Sequence, residues 1–78
     1  MGAASAADSS VKHVQSIDRA LDVLEALATE PDGLSLGALA ARTGLSKSTA
    51  HRILAALAQR DWTAQREDGS YQLGLKLI

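Results

Sequence analysis

Lys47, Ser48, Thr49, His51 and Arg52 fall within six consecutive residues of the stretch LSKSTAHRIL at 45–54. Two cations, two hydroxyls and an imidazole, with no carboxylate among them, form a donor set suited to an anionic partner. An arginine such as Arg52 can donate two hydrogen bonds to O6 and N7 of a guanine, the commonest base-specific contact. Lys47 offers a point charge to phosphate or guanine, and His51 can donate to a base or a phosphate. Ser48 and Thr49 can bond phosphate beside the free N–H groups of a helix start, where the helix dipole also favours an anion. Ser46, just ahead, has the chemistry of a helix cap and joins the same contact set. Arg66 lies beside a predicted hairpin tip, from which it can reach a neighbouring minor groove or its phosphates.

Each of these residues also has a plainer reading. Lys47 and Arg52 can be solvated surface charges, His51 a bystander, and Thr49 a buttress for the preceding helix. Trp62 reads as a core plug beneath the hairpin and not as a base-stacking residue. Arg42 and Arg60 can serve helix C-termini electrostatically, and the acidic first helix is most simply a solvated face.

Catalysis finds little support. The chain has two histidines, His13 and His51, and no cysteine. No acid between residues 33 and 60 could orient His51. Neither a nucleophilic triad nor a metal site is expected, and no cofactor is implied.

The net charge of −1 hides a segregation. Residues 1–32 carry six acids and two bases, residues 33–60 four bases and no acid, and residues 61–78 three acids and two bases. A basic segment inside a near-neutral chain implies a local anion footprint and not a general polycation. Seventy-eight residues make one domain at most, close to the size at which a single core only just holds. Apolar residues reach 46 %, yet aromatics are one Trp and one Tyr, so the core must be aliphatic. No apolar run approaches the roughly 20 residues of a membrane span. The opening MGAASAADSS lacks the basic start and apolar centre of a secretory signal. A soluble cytoplasmic protein without membrane contact is expected.

The elements that must position the donors follow from periodicity. Residues 1–13 lack an apolar period and read as a disordered tail. Ile17, Ala20, Leu21, Leu24, Leu27 and Ala28 share one face of a first helix, with Ser16 as its cap. Pro31-Asp32-Gly33 ends it, and Leu34-Ser35 could be a very short strand before a second helix capped by Ser35. Gly44 suits a left-handed stop, and Ser46 caps a third helix from Lys47 to about Arg60. Ala50, Ile53, Leu54 and Leu57 form its inward stripe, leaving Ser48, Arg52, Ala55 and Gln59 outward. Trp62 to Arg66 and Ser70 to Leu73 then read as strands around an Asp68-Gly69 turn, with Trp62, Ala64, Tyr71 and Leu73 on one face. The fold class is mostly α with a small β-hairpin: a winged helix-turn-helix, three helices plus a two-stranded wing.

Four motifs, in order, carry a resemblance. They are S-x-x-R-A-L-x-x-L at 16–24, G-L-S-L-x-x-L-A at 33–40, G-L-S-K-S-T-x-H-R-I-L at 44–54 and D-G-x-Y-x-L-G at 68–74. Together they make residues 14–78 resemble the N-terminal DNA-binding domain of the IclR (isocitrate lyase regulator-like) family of bacterial transcription factors. The resemblance implies a DNA-binding domain over 14–74, with 75–78 as the start of a linker helix to an effector-binding domain that is absent here. It implies Lys47, Ser48, Thr49, His51 and Arg52 on the recognition helix and Arg66 at the wing. It also implies palindromic double-stranded operators, homodimers or tetramers, repression or activation, and a small-molecule effector for the missing domain alone. The family usually has Gly and then Tyr or Phe after the third helix, where this chain has Asp61-Trp62. Asp tolerates a left-handed conformation better than most residues but less well than Gly, so slight strain in the turn into the wing is expected. The next position, commonly a larger aliphatic, is Thr63. The competing reading is a winged-helix module for protein–protein contact that never meets DNA; an exposed apolar patch on the third helix would favour it.

Overall fold

The computed structural model of the chain describes residues 14–77; the tail expected at 1–13 lies outside the described residues. Three helices precede a two-stranded antiparallel hairpin: α1 Gln15–Ala28, α2 Leu36–Thr43, α3 Lys47–Ala58, β1 Thr63–Gln65 and β2 Tyr71–Leu73. This is the winged helix-turn-helix that the sequence predicts.

Helix α1 differs from expectation at both its start and its buried side. Ser16 is not the cap. Val14 occupies that position in an extended conformation with no side-chain cap bond, and its carbonyl accepts from Asp18 N at 2.9 Å, so Ser16 falls inside the first turn. The buried residues are Val23, Ala26 and Leu27, with Leu24 packed at the edge, whereas Ile17 and Leu21 remain 56 % and 51 % exposed. Ala28 is exposed as well. At about 100° per residue the apolar positions of this helix span an arc far wider than its contact. Val23 and Ala26 lie on one margin of that arc, Ile17, Leu21 and Ala28 on the other, and only the first margin faces α2, α3 and β2.

Gly33 turns the chain at φ 91°, and its bare α-carbon meets the hairpin so closely that a Cβ there would lie 2.9 Å from both Arg66 Cδ and Ser70 Oγ. Leu34 then forms an antiparallel bridge with Tyr71, their backbone bonds 2.9 and 2.7 Å long, which is the short strand expected at this point. Ser35 Oγ accepts from Ala38 N at 3.0 Å to cap α2. Gly44, at φ 78°, stops the helix with its N–H on the carbonyl of Ala40.

The core is aliphatic. Leu27, Leu39, Leu54 and Val23 are its largest wholly buried side chains, with Trp62, Tyr71 and Leu73 packed around its edge. Helix α3 is two residues shorter than expected. Its last carbonyls, Leu57 and Ala58, accept from Trp62 N and Asp61 N, and Asp61 takes a left-handed φ of 61° in the turn into the wing.

The wing's face is the other correction. The register pairs Thr63 with Leu73, Ala64 with Gln72 and Gln65 with Tyr71. Thr63, and not Trp62 or Ala64, therefore shares a face with Tyr71 and Leu73. It is 4 % exposed, and its Oγ1 donates to the Leu54 carbonyl at 3.0 Å, which is how a polar residue fills an aliphatic site. After β2, the buried Gly74 donates its N–H to Trp62 O at 2.7 Å, and Lys76 N donates to Asp61 O at 3.0 Å. Leu75–Leu77 form a 3-10 turn where a linker helix was expected to begin.

Candidate nucleic-acid interface

The first turn of α3 is built from its cap. Ser46 Oγ accepts from Thr49 N at 3.1 Å and donates to Thr49 Oγ1 at 3.0 Å, with Ser48 Oγ 3.3 Å away. Its hydroxyl proton is thus engaged within the helix start, so Ser46 shapes the site more than it offers a free donor.

Lys47, Ser48, His51 and Arg52 are all exposed, and Lys47, His51 and Arg52 border different neighbours. Lys47 lies along α2: a Cβ on Gly37 would stand 3.6 Å from its Cε and 3.9 Å from its Nζ. The ammonium therefore sits beside the first turn of α2, where the positive end of that helix adds to its field. His51 faces the wing across a cleft of about 180 Å³ lined by Ala55, Ala58, Ala64, Gln65 and Tyr71. Arg52 and Thr49 face α1, sharing a cleft of about 320 Å³ with Ser16, Arg19, Ala20 and Ile53. Thr49 thus borders α1. Ala50, Leu54 and Leu57 hold the opposite side of α3 in the core, with Ile53 packed beside them. The result is a convex ridge with a cleft on either side, polar at its N-terminal end and flanked by small alanines farther along.

Arg66 is drawn inward. It is half-buried over Gly33, and its Nη1 donates to Gln72 Oε1 at 3.2 Å, leaving the other guanidinium N–H groups for a partner. The tip beyond it is fixed by Asp68, whose Oδ1 accepts from Ser70 N at 2.9 Å and Ser70 Oγ at 2.6 Å. Those two bonds hold the Asp68 carboxyl below its ordinary value of 3.8. Arg42 stands apart from the ridge: it donates to Thr29 Oγ1 at 2.9 Å and Glu30 Oε2 at 3.0 Å, clamping the end of α1.

Two polar residues near the ridge escaped the sequence reading. Gln65 shares the wing cleft with His51, a placement set by the hairpin register. Arg19 shares the other cleft with Arg52. Its position in S-x-x-R-A-L-x-x-L was visible, but the surrounding acids made α1 look like a solvated face. In the structure Asp22 and Glu25 line a different cleft, with Arg42.

The winged helix has counterparts among known proteins. The sequence matches the IclR helix-turn-helix domain over residues 16–67. It is 40 % identical over 68 residues to the glycerol operon regulatory protein of Streptomyces coelicolor, an alignment covering 86 % of this chain and 27 % of that protein. It is 36 % identical to the transcriptional regulator XynR of Escherichia coli, over 83 % of this chain and 26 % of the relative. Among solved structures, Pseudomonas aeruginosa HmgR superposes with a TM-score of 0.75 at 34 % identity, covering 82 % of this chain and 28 % of that one. An IclR transcriptional regulator from Alicyclobacillus acidocaldarius gives a TM-score of 0.78 at 30 % identity, covering 86 % and 28 %. The chain thus spans about a quarter of the length of these curated relatives. It belongs to the IclR family and carries that family's helix-turn-helix domain.

Proposed function

We propose that α3 enters the major groove of duplex DNA with its N-terminal end toward the base edges. Arg52 reads a guanine, and His51 and Ser48 work beside it. Lys47 and Thr49 meet the flanking phosphates, Ser46 fixes the geometry of the turn, and Arg66 reaches the adjacent minor groove or its phosphates from the wing. A helix about 10–12 Å across fills a groove of about 12 Å, and the alanines at 55, 56 and 58 let α3 lie deep in it. The observation that carries this reading is the capped, acid-free first turn of α3, exposed on a ridge whose other side is core.

By its likeness to regulators, the domain acts inside the cell as part of a homodimer or tetramer on a palindromic operator, repressing or activating nearby genes. The small-molecule effector belongs to a further domain, and the function proposed for this chain is binding without catalysis. The exposed surface of α3 has donors where a protein-docking module would need an apolar patch.

The test is selection of duplexes from a random pool at low salt, followed by amide-shift mapping with a selected site. Enrichment of a defined motif, with shifts gathered at 46–56 and 65–70, is the expected result. Enrichment of no motif together with no shifts on α3 would overturn the reading.

A further inference from the structure

Arg19 is half-buried in the cleft between α1 and α3, yet among the described residues its guanidinium makes no hydrogen bond or ion pair. Arg52 lines the same cleft, so two cations border one concavity, whose floor of Ala20, Ile53, Ala56 and Leu57 is apolar, in a chain of net charge −1. Partial burial weakens the hydration of a charge, and a second like charge nearby adds repulsion. An anion entering the cleft relieves both. The hydroxyls of Ser16 and Thr49 also line it. Thr49 Oγ1 accepts from Ser46, which leaves its own proton to donate. Ser16 belongs to the first turn of α1, whose N-cap Val14 offers no side-chain cap, so the positive end of that helix borders the cleft. The acids Asp22 and Glu25 line another cleft, with Arg42.

We propose that this cleft takes one DNA backbone phosphate, held by Arg19, on the strand bordering the groove that α3 enters. The occupant follows from charge complementarity and from position, because the cleft opens beside the helix that faces the bases. Arg19 is then a positioning residue: it sets the depth and register of α3 and leaves the Arg52 fork for a base edge. This rests on the reading of α3 as the groove-entering helix.

The experiment compares the parent chain with Arg19→Ala, Arg19→Lys and Arg52→Ala on a selected duplex and on a scrambled one, across salt concentrations. A thermal melt of each variant checks that it folds. Arg19→Ala should weaken both duplexes alike, with base preference kept. Its log–log salt slope should be shallower by about 0.9, or roughly 3.5-fold less affinity lost between 50 and 200 mM salt. Arg19→Lys should restore the slope. Neutral methylphosphonates placed singly along the duplex should reveal one position that weakens the parent but not Arg19→Ala. An unchanged slope in Arg19→Ala, with Arg52→Ala losing base preference, would overturn the phosphate cleft and leave the α3 reading standing. No effect of either variant would instead sink the α3 reading itself. A loss of affinity in Arg19→Ala without a slope change, or no methylphosphonate position that distinguishes the two proteins, would make Arg19 merely structural and overturn the proposal.

Discussion

Lys47 and Arg52 carry the same charge five positions apart, but their surroundings give them different work. Lys47 is laid along the first turn of α2, and Arg52 stands on the open ridge beside α1. Arg52→Ala should cost about 1–3 kcal/mol of binding and relax preference at one base pair. Lys47→Ala should weaken all sequences alike and lower the salt slope by about 1. Parallel selections and salt titrations on the two variants separate these outcomes. Asp68 permits a pH prediction of definite sign. Its carboxyl is depressed in the folded wing, chiefly by the Ser70 hydroxyl and amide. Its support of the turn is therefore full above the ordinary value of 3.8 and is lost as pH falls through the lower folded value. The Ser70 amide shift, followed by NMR against pH, should have its midpoint below 3.8. The place of these residues, on the outer side of a capped helix start, was legible from the cap and the apolar period. The inward set of Arg66 was not legible: it depends on a glycine thirty-three positions earlier in the chain, Gly33, bringing its backbone against the arginine's stem.

Elements were legible wherever local chemistry decides them. Ser35, Ser46, Gly44 and the Asp68-Gly69 turn each act through bonds to near neighbours, and each does what its type predicts. Two things depended on distant contacts instead. One was the choice of which margin of α1's broad apolar arc meets the core. The other was the parity of the wing: alternation makes Thr63 inward, but its hydroxyl disguises a core position until the Leu54 carbonyl is seen to accept it. Thr63→Val should accordingly cost about 1 kcal/mol of stability, read from denaturant unfolding, with the wing retained. Gly74→Ala should be worse. A Cβ there runs into the backbone of Asp61 and Thr63, which cannot swing aside as a side chain could. A loss of about 1–3 kcal/mol, and a melting temperature lower by several degrees, is expected from a thermal melt.

At the scale of the molecule, the interface is one convex ridge with a cleft on each side, on a domain spanning about a quarter of its curated relatives. On the palindromic operator proposed above, one ridge would cover one half-site. Two copies of the domain joined by a flexible tether should therefore bind a palindrome more tightly than a single half-site by about 100-fold or more, as effective concentration replaces a second encounter. Titrations of the tethered pair on both duplexes would show equal affinities if the ridges do not act as paired readers. The exit from the wing has a mechanical consequence. Leu57 and Ala58, the last residues but one and last of α3, bond to Trp62 and Asp61, and those two carbonyls in turn hold Gly74 and Lys76. Four bonds thus splice the outgoing strand end onto the tail of the reading helix, with no slack stretch between. A twist applied at residues 75–77 should be handed to α3 as a crank hands rotation to its shaft, so that in the proposed complex the pitch of the helix in the groove would be steered from outside the domain.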